Sequence, residues 1–318
     1  MVSFPMDFDI LPPSDDRVFK LLLTAPEAGP VLTDLVSTLL GRRVMNVVVR
    51  NNELPPEDTG EKAERFDVNC STEDGTQADL EMQASRIQED SDGKHRNLKG
   101  KSIYYLCDLH SSQSAKGIRR YDHLAKTWQV TFCSYTVFPH RAGFLHTFSL
   151  RSDEDNEQLS DDIHVVYVEL SKLQETVKKS AQEMTDLEKW AVFFRYAGEA
   201  GFRKTVNEVI ASKEVLQVAG ELLMGISQDE HERAVFRSRK MYQTDLASNL
   251  ATAEDRGFKN GKRKGIEIGE RRGAHDRSLS IAARMLRHNK PIEEIIEFTE
   301  LSRKEIEALL QNDKTSQS

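Results

Sequence analysis

The sequence predicts an α/β fold, a mixed sheet flanked by helices and followed by a helical C-terminal extension. Three observations carry this. Short alternating or apolar segments of strand length recur between residues 44 and 170. Helix-patterned segments stand before and among them, the order that packs helices on the faces of a sheet. Beyond Lys172 the pattern is helical alone. A chain of 318 residues with 38% hydrophobic content has ample core for one main domain and an appendage.

Pro12-Pro13-Ser14 closes an irregular start. Ser14 or Asp15 can then cap a helix over 16–23, because a side-chain oxygen there satisfies the first free N–H groups. A second helix is predicted over 27–40 and stops at Gly41. Strands follow over 44–50, 65–71 and 77–84, with a Pro-rich, charged loop over 53–62 between the first two. Phe66, Val68 and Cys70 alternate with Asp67 and Asn69, while Ala78, Leu80 and Met82 alternate with Asp79, Glu81 and Gln83. That period of two is the mark of a half-buried strand. If Glu73-Asp74-Gly75 is a three-residue loop with Gly75 left-handed, position 66 pairs with 82, 68 with 80 and 70 with 78, and Asp67 faces Glu81. A flexible connection over 85–100 leads to a helix near 101–114, and strands over 128–138, 144–150 and 163–170 complete the sheet.

After Lys172, residues 187–197, 206–210, 215–224 and 229–249 have helical spacing and are expected to bundle against the core. Glycines 257, 261, 265, 269 and 273 then recur every fourth residue. In one helix they would cost about 4–5 kcal/mol relative to alanine. The segment is either a helix for self-association or DNA contact, or a flexible basic linker. Residues 278–310 form a separate helical unit, with Ser302 and Glu305 as a capping box. Its turn over 299–302 bears a loose likeness to a helix-turn-helix, against a small oligomerisation or packing module. The expected organisation is a catalytic-type domain over 1–180, a helical bundle over 181–252, a Gly-periodic basic segment over 253–275 and a small helical unit over 276–318.

Asp67 opposite Glu81 is the chemical signal. Directly opposed side chains have Cβ atoms about 4.5–5.5 Å apart, so two carboxylates repel. A divalent cation would remove the repulsion, and one or two carboxylates with water and substrate phosphate are what Mg²⁺ favours. Asp79 shares this face and would be the ligand in another register. The bland alternative is a solvated polar face.

No stretch of about 18 apolar residues exists, which argues against a membrane helix. The first residues lack the basic and apolar regions of a secretory signal. Cys70, Cys107 and Cys133 are scattered without a C-x-x-C pair, so a disulfide framework or zinc ribbon is not expected and a reducing cytoplasm fits best. The nine histidines form no H-E-x-x-H pair, and no Walker A or dinucleotide fingerprint is present. A net charge of −8 is unhelpful for binding nucleic acid. Its distribution softens that, since residues 256–290 hold eleven Lys and Arg against Glu267, Glu270 and Asp276, a local net of +8.

Arg65-Phe66-Asp67-Val68, the Asp74-Gly75 turn and Glu81-Met82-Gln83 resemble the core of the Rpn family, recombination-promoting nucleases or putative transposases of the PD-(D/E)XK superfamily. That family writes the usual E-x-K as E-x-Q. Asp16-Arg17-Val18-Phe19-Lys20 matches its N-terminal D-x-x-F-K helix, and Tyr104-Tyr105, Gln113, Gly117 and Tyr121 fit the pattern of its long helix. The resemblance covers residues 15–172 and extends more weakly to the end, with Lys101 standing where the family's Arg is expected. It implies a restriction-endonuclease-like PD-(D/E)XK core, DNA as substrate and Mg²⁺ as cofactor, with Mn²⁺ a substitute. Asp67 and Glu81 would hold the metal, the Met82 backbone carbonyl would add a ligand, and Asp16 would complete the shell through water. Gln83 would orient the attacking water and Lys101 would stabilise the developing charge. A homo-oligomer is expected, and a catalytically silent scaffold that binds DNA or protein partners is the competing expectation.

Overall fold

Asp15 sets the first helix. Its carboxylate accepts from Arg17 N at 3.1 Å and Val18 N at 3.2 Å, so α1 (Asp16–Thr24) begins with its orphan donors satisfied. The computed structural model describes residues 2–50, 67–84, 95–115 and 120–315. Arg65-Phe66, the Pro-rich loop, the connection over 85–94 and Gly117 lie outside the described residues. After a short 3-10 turn, α2 (Gly29–Leu40) ends at Gly41, whose φ of +64° is the left-handed cap that other residues resist.

Next come β1 (Val47–Val49), β2 (Val68–Thr72), β3 (Gln77–Gln83), α3 (Arg96–Ala115), β4 (Thr127–Cys133), β5 (Leu145–Phe148) and β6 (Ile163–Glu169). The strands form one mixed sheet in the order β1-β2-β3-β4-β6-β5. The steps β1–β2, β2–β3 and β5–β6 are antiparallel, whereas β3–β4 and β4–β6 are parallel. A parallel step needs a crossover, and α3 supplies the one between β3 and β4. The expected hairpin register is present: Val68 pairs with Leu80 and Cys70 with Ala78, Thr72 N donates to Thr76 O at 2.9 Å, and Gly75 has φ +85°. β4 stops sooner than the sequence predicts. The N–H groups of Val137 and Phe138 go to the Glu169 carboxylate instead of a ladder.

The two faces of the sheet differ in chemistry. Val68, Cys70, Leu80, Met82, Val130, Phe132, Val166 and Val168 join the main hydrophobic core with α1 and α2. Phe19, Phe132 and Phe194 meet there with ring centroids 5.2–5.5 Å apart. Each such buried ring contributes about 1.5–3 kcal/mol. The opposite face carries Asn69, Asp79, Glu81, Gln129 and Thr131, and all of them are buried. The half-buried strands that the alternation predicts are therefore covered on both sides. The cover is α3, whose Ser102 Oγ lies 3.4 Å from Thr131 Oγ1 and accepts from Tyr167 Oη at 2.9 Å. Gln113 fastens its far end to Ala125, donating at 2.9 Å and accepting at 2.8 Å.

Helices α4 (Asp186–Tyr196), α5 (Arg203–Ala211) and α6 (Glu214–Gln228) bury Trp190, Phe193, Phe194, Val206, Ile210 and Leu223 in the same core. The expected boundary at 180/181 accordingly falls inside a compact unit of Met1–Lys240. α7 (Glu230–Arg287) contains the glycine-periodic segment, which is helical, and the expected boundaries at 252/253 and 275/276 fall within this helix. Apart from the helix's own nearby backbone, no atom of the described residues comes within 4 Å of where a Cβ would stand on any of those five glycines. The second unit, Met241–Ser318, adds α8 (Ile292–Thr299) and α9 (Arg303–Thr315). Ala282, Ile295, Leu301 and Ile306 form its small core. Its capping box is made as expected, with Ser302 N donating to Glu305 Oε2 at 2.8 Å and Glu305 N to Ser302 Oγ at 3.4 Å. Among the described residues no helix is long and apolar enough to cross a membrane.

Candidate active site

The hairpin of β2 and β3 brings Asp67 and Glu81 together. Asp67 immediately precedes β2, one step beyond the Val68–Leu80 pair, and its Oδ2 accepts from Met82 N at 2.8 Å. This bond fixes Asp67 beside the residue that follows Glu81. Glu81 is nearly sealed, and its two oxygens differ: Oε2 accepts from Lys101 Nζ on α3, while Oε1 has no hydrogen-bond partner among the described residues. Lys101 also lies over the Tyr105 ring, 5.1 Å from its centroid. The sequence-predicted Asp67, Glu81, Met82 and Lys101 therefore converge.

The electrostatics are those of too many acids in a dry place. Burial, then the charges of Glu81 and Asp16, push Asp67 well above the ordinary carboxylate range, against the Met82 N–H and Lys101. Burial also raises Glu81, with Lys101 and Lys20 opposing. Asp79, fully buried on the same face, is pushed well up by burial and then by Glu81 and Asp67. Lys101 is raised in turn, because the charge and hydrogen bond of Glu81 outweigh the effect of burial.

Other residues fall less centrally. Gln83 ends β3, and its carbonyl accepts from Ser134 N at 3.1 Å. Asp16 is within electrostatic range of Asp67, but both of its oxygens accept from Arg239 Nη2, at 2.9 and 2.7 Å. Nothing in the sequence links Asp16 to Arg239 on α7, 223 residues away. Arg17 is similarly held by Glu232, at 2.7 and 2.8 Å. Gln129 was equally hidden, since a lone glutamine in an apolar strand reads as a solvent-facing residue until the topology places it beside Asp79. Lys20 is the exception: the D-x-x-F-K segment contains it, and the structure buries it at 1% exposure near Glu81.

A cleft of about 1300 Å³ lies elsewhere, lined by Asp34, Arg42, Asp186 and Lys213 among others. It contains neither Asp67 nor Glu81. The acids that burial and mutual repulsion strongly perturb lie under α3 instead, so chemistry favours the hairpin.

A family model described as PD-(D/E)XK nuclease family transposase matches residues 13–253. The chain belongs to this family. Its sheet and flanking helices agree with the PD-(D/E)XK α/β fold, and its function is nuclease-like. No curated protein and no solved structure matches the chain. PD-(D/E)XK nucleases generally use divalent metals, and the donors here suit one: two carboxylates, one with a buried oxygen that no other described residue satisfies. Among the described residues no three His, Cys, Asp or Glu side chains converge at ligand spacing. A metal here would rely on backbone, water and substrate for the rest of its shell.

Proposed function

We propose that the protein is a Mg²⁺-dependent DNA endonuclease, with Mn²⁺ as a substitute, acting in recombination, mobile-element transfer or defence. The observation that carries this reading is the meeting of Asp67 and Glu81 across the hairpin, tied through Met82 N and faced by Lys101. Asp67 and Glu81 would hold the ion with the Met82 backbone carbonyl, and Asp16, already committed to Arg239, would act only through water. When bound, the ion polarises a phosphodiester oxygen and acidifies a water. Gln83 orients the attacking water, since an amide can direct but not accept its proton at neutral pH. Lys101 turns from Glu81 toward the phosphate and stabilises the charge that develops there. The basic residues over 256–290 attract the DNA backbone, and paired copies of the chain in a reducing cytoplasm complete the picture.

One observation favours a catalytically silent scaffold instead. Lys101 already neutralises Glu81, so the acid has a partner without a metal. Plasmid nicking separates the two readings. The nuclease reading expects Mg²⁺-dependent nicking that falls at least about 100-fold in Asp67→Asn and Glu81→Gln with circular dichroism unchanged. Wild-type inertness on single- and double-stranded DNA with both Mg²⁺ and Mn²⁺ would establish the scaffold.

A further inference from the structure

Helix α3 is apolar on both sides. Leu98, Leu106 and Leu109 are buried, as a helix laid on the sheet requires, yet Ile103 and Tyr104 are 56% and 64% exposed. Gly100, Ile103, Tyr104 and Cys107, all exposed, recur at intervals of three and four, so they form one continuous outer stripe without a charge. Asp108, one turn beyond Tyr104, is the first charged residue along it. The solvent face of an ordinary helix is charged or polar, whereas a helix with apolar residues all round is one that is covered.

Two neighbours of the stripe identify its cover. The first is Lys101, which bonds Glu81, stands one turn before Tyr104 and Tyr105, and lies 5.1 Å from the Tyr105 ring centroid. The two tyrosine rings are 6.0 Å apart and tilted by 53°, so an aromatic surface runs on from the cation of the hairpin site. The second is Gly100. Its φ is not left-handed, and apart from the helix's own nearby backbone no atom of the described residues comes within 4 Å of where its Cβ would stand. Packing does not call for a glycine there, and a glycine weakens a helix interior. Bare backbone is what a chain offers where another molecule approaches closely. A cation beside exposed rings suits single-stranded nucleic acid, the cation meeting the backbone while the rings stack on bases. A duplex keeps its base faces stacked on one another and has none to give.

We propose that the outer stripe of α3 receives unpaired bases, with Tyr104 as the stacking residue and Gly100 as the place of close approach, so that the substrate is single-stranded or locally opened DNA. A strand whose phosphate meets Lys101 presents a neighbouring base to Tyr104, about 5–6 Å away along the helix face. Tyr105 keeps the Lys101 cation beside the stripe. This inference rests on the nuclease reading for the identity of the polymer, and binding is measured apart from cleavage so that the two can fail separately.

The full chain, in chelator to prevent cleavage, is titrated into a labelled oligothymidine and into a labelled duplex of equal length at one salt concentration, with anisotropy as the readout. Wild type is expected to bind the single strand at least about tenfold more tightly than the duplex. Tyr104→Ala loses about tenfold on the single strand and leaves duplex binding unchanged, while Tyr104→Phe keeps wild-type affinity. Gly100→Leu weakens single-strand binding even though leucine favours the helix, and circular dichroism reports an intact fold in each variant. Equal losses on both forms, no loss in Tyr104→Ala, or no binding at all overturns the proposal. A wild-type dimer that Tyr104→Ala splits while single-strand affinity stays the same makes the stripe a contact between copies and overturns it too. A Tyr104-dependent preference for the single strand, in a protein that nicks no DNA with Mg²⁺ or Mn²⁺, refutes the nuclease reading and leaves the stripe's role standing. Nicking that Asp67→Asn abolishes and Tyr104→Ala leaves unchanged on both forms does the reverse.

Discussion

Asp79 and Glu169 are both fully buried carboxylates on the same face of the same sheet, and their surroundings are opposite. Glu169 accepts from Val137 N, from Phe138 N at 2.9 Å, from His146 Nε2 at 2.6 Å and from Lys172 Nζ at 2.5 Å. Burial would raise it, but these partners hold it below its ordinary range. Asp79 has only the Gln129 side chain and the charge of Lys101 to offset burial and the charges of Glu81 and Asp67, and it is pushed well above. One end of the sheet has thus been finished as structure. The other keeps acids that burial and mutual repulsion perturb, as functional sites do.

The largest test of this contrast removes Glu169. Glu169→Ala leaves Lys172 and His146 facing an emptied pocket and should cost about 3–5 kcal/mol in urea unfolding, as breaking a buried pair does. A loss under about 1 kcal/mol would mean that its four bonds are not structural. His146→Phe deletes one charge-assisted bond and should cost about 1.5–3 kcal/mol by the same measurement. Asp79→Asn should move the other way. It replaces an acid whose charge burial strongly disfavours with a neutral amide of the same shape, so stability near pH 8 should rise by about 1–2 kcal/mol. Destabilisation there would show Asp79 to be as well satisfied as Glu169.

The smallest effect is the pH profile of the chelated protein. Groups raised in the fold hold protons that the unfolded chain releases, so their contribution is complete below the ordinary carboxylate range and is lost as pH rises through the raised values. Asp67, Glu81 and Asp79 act in this sense, as does Asp15, raised to about 6 by burial and by Asp16. Glu169, lowered, contributes above its ordinary pKa and loses that as pH falls. Urea midpoints measured between pH 5 and pH 8 should therefore decline toward the alkaline end in wild type and less so in Asp79→Asn. Equal slopes would remove Asp79 from the account.

Much of this was legible in the residues. The alternation of Val68 and Cys70 with Asn69, the Glu73-Asp74-Gly75 loop and the E-x-Q segment are local signals, and the hairpin they specify formed in the expected register. What stayed hidden was set by distant packing. Alternation marks which face is apolar but not whether the polar face is covered, so α3 over Asp79 was invisible. Arg239 on Asp16 and Glu232 on Arg17 join segments more than two hundred positions apart, with no periodicity to announce them. The helical state of the glycine row was open for a related reason: single-residue propensity disfavours it, and the flanking helical sequence decides.

The Gly75 turn has a bearing on chemistry it never touches. Because Asp67 and Glu81 ride on the two arms of one hairpin, the loop at its tip works as a gauge that sets the gap between them. Adding a single residue between Thr72 and Thr76 would slip the arms by one step, rotate one acid toward Phe132 and Leu80, and erase the pair without altering either side chain.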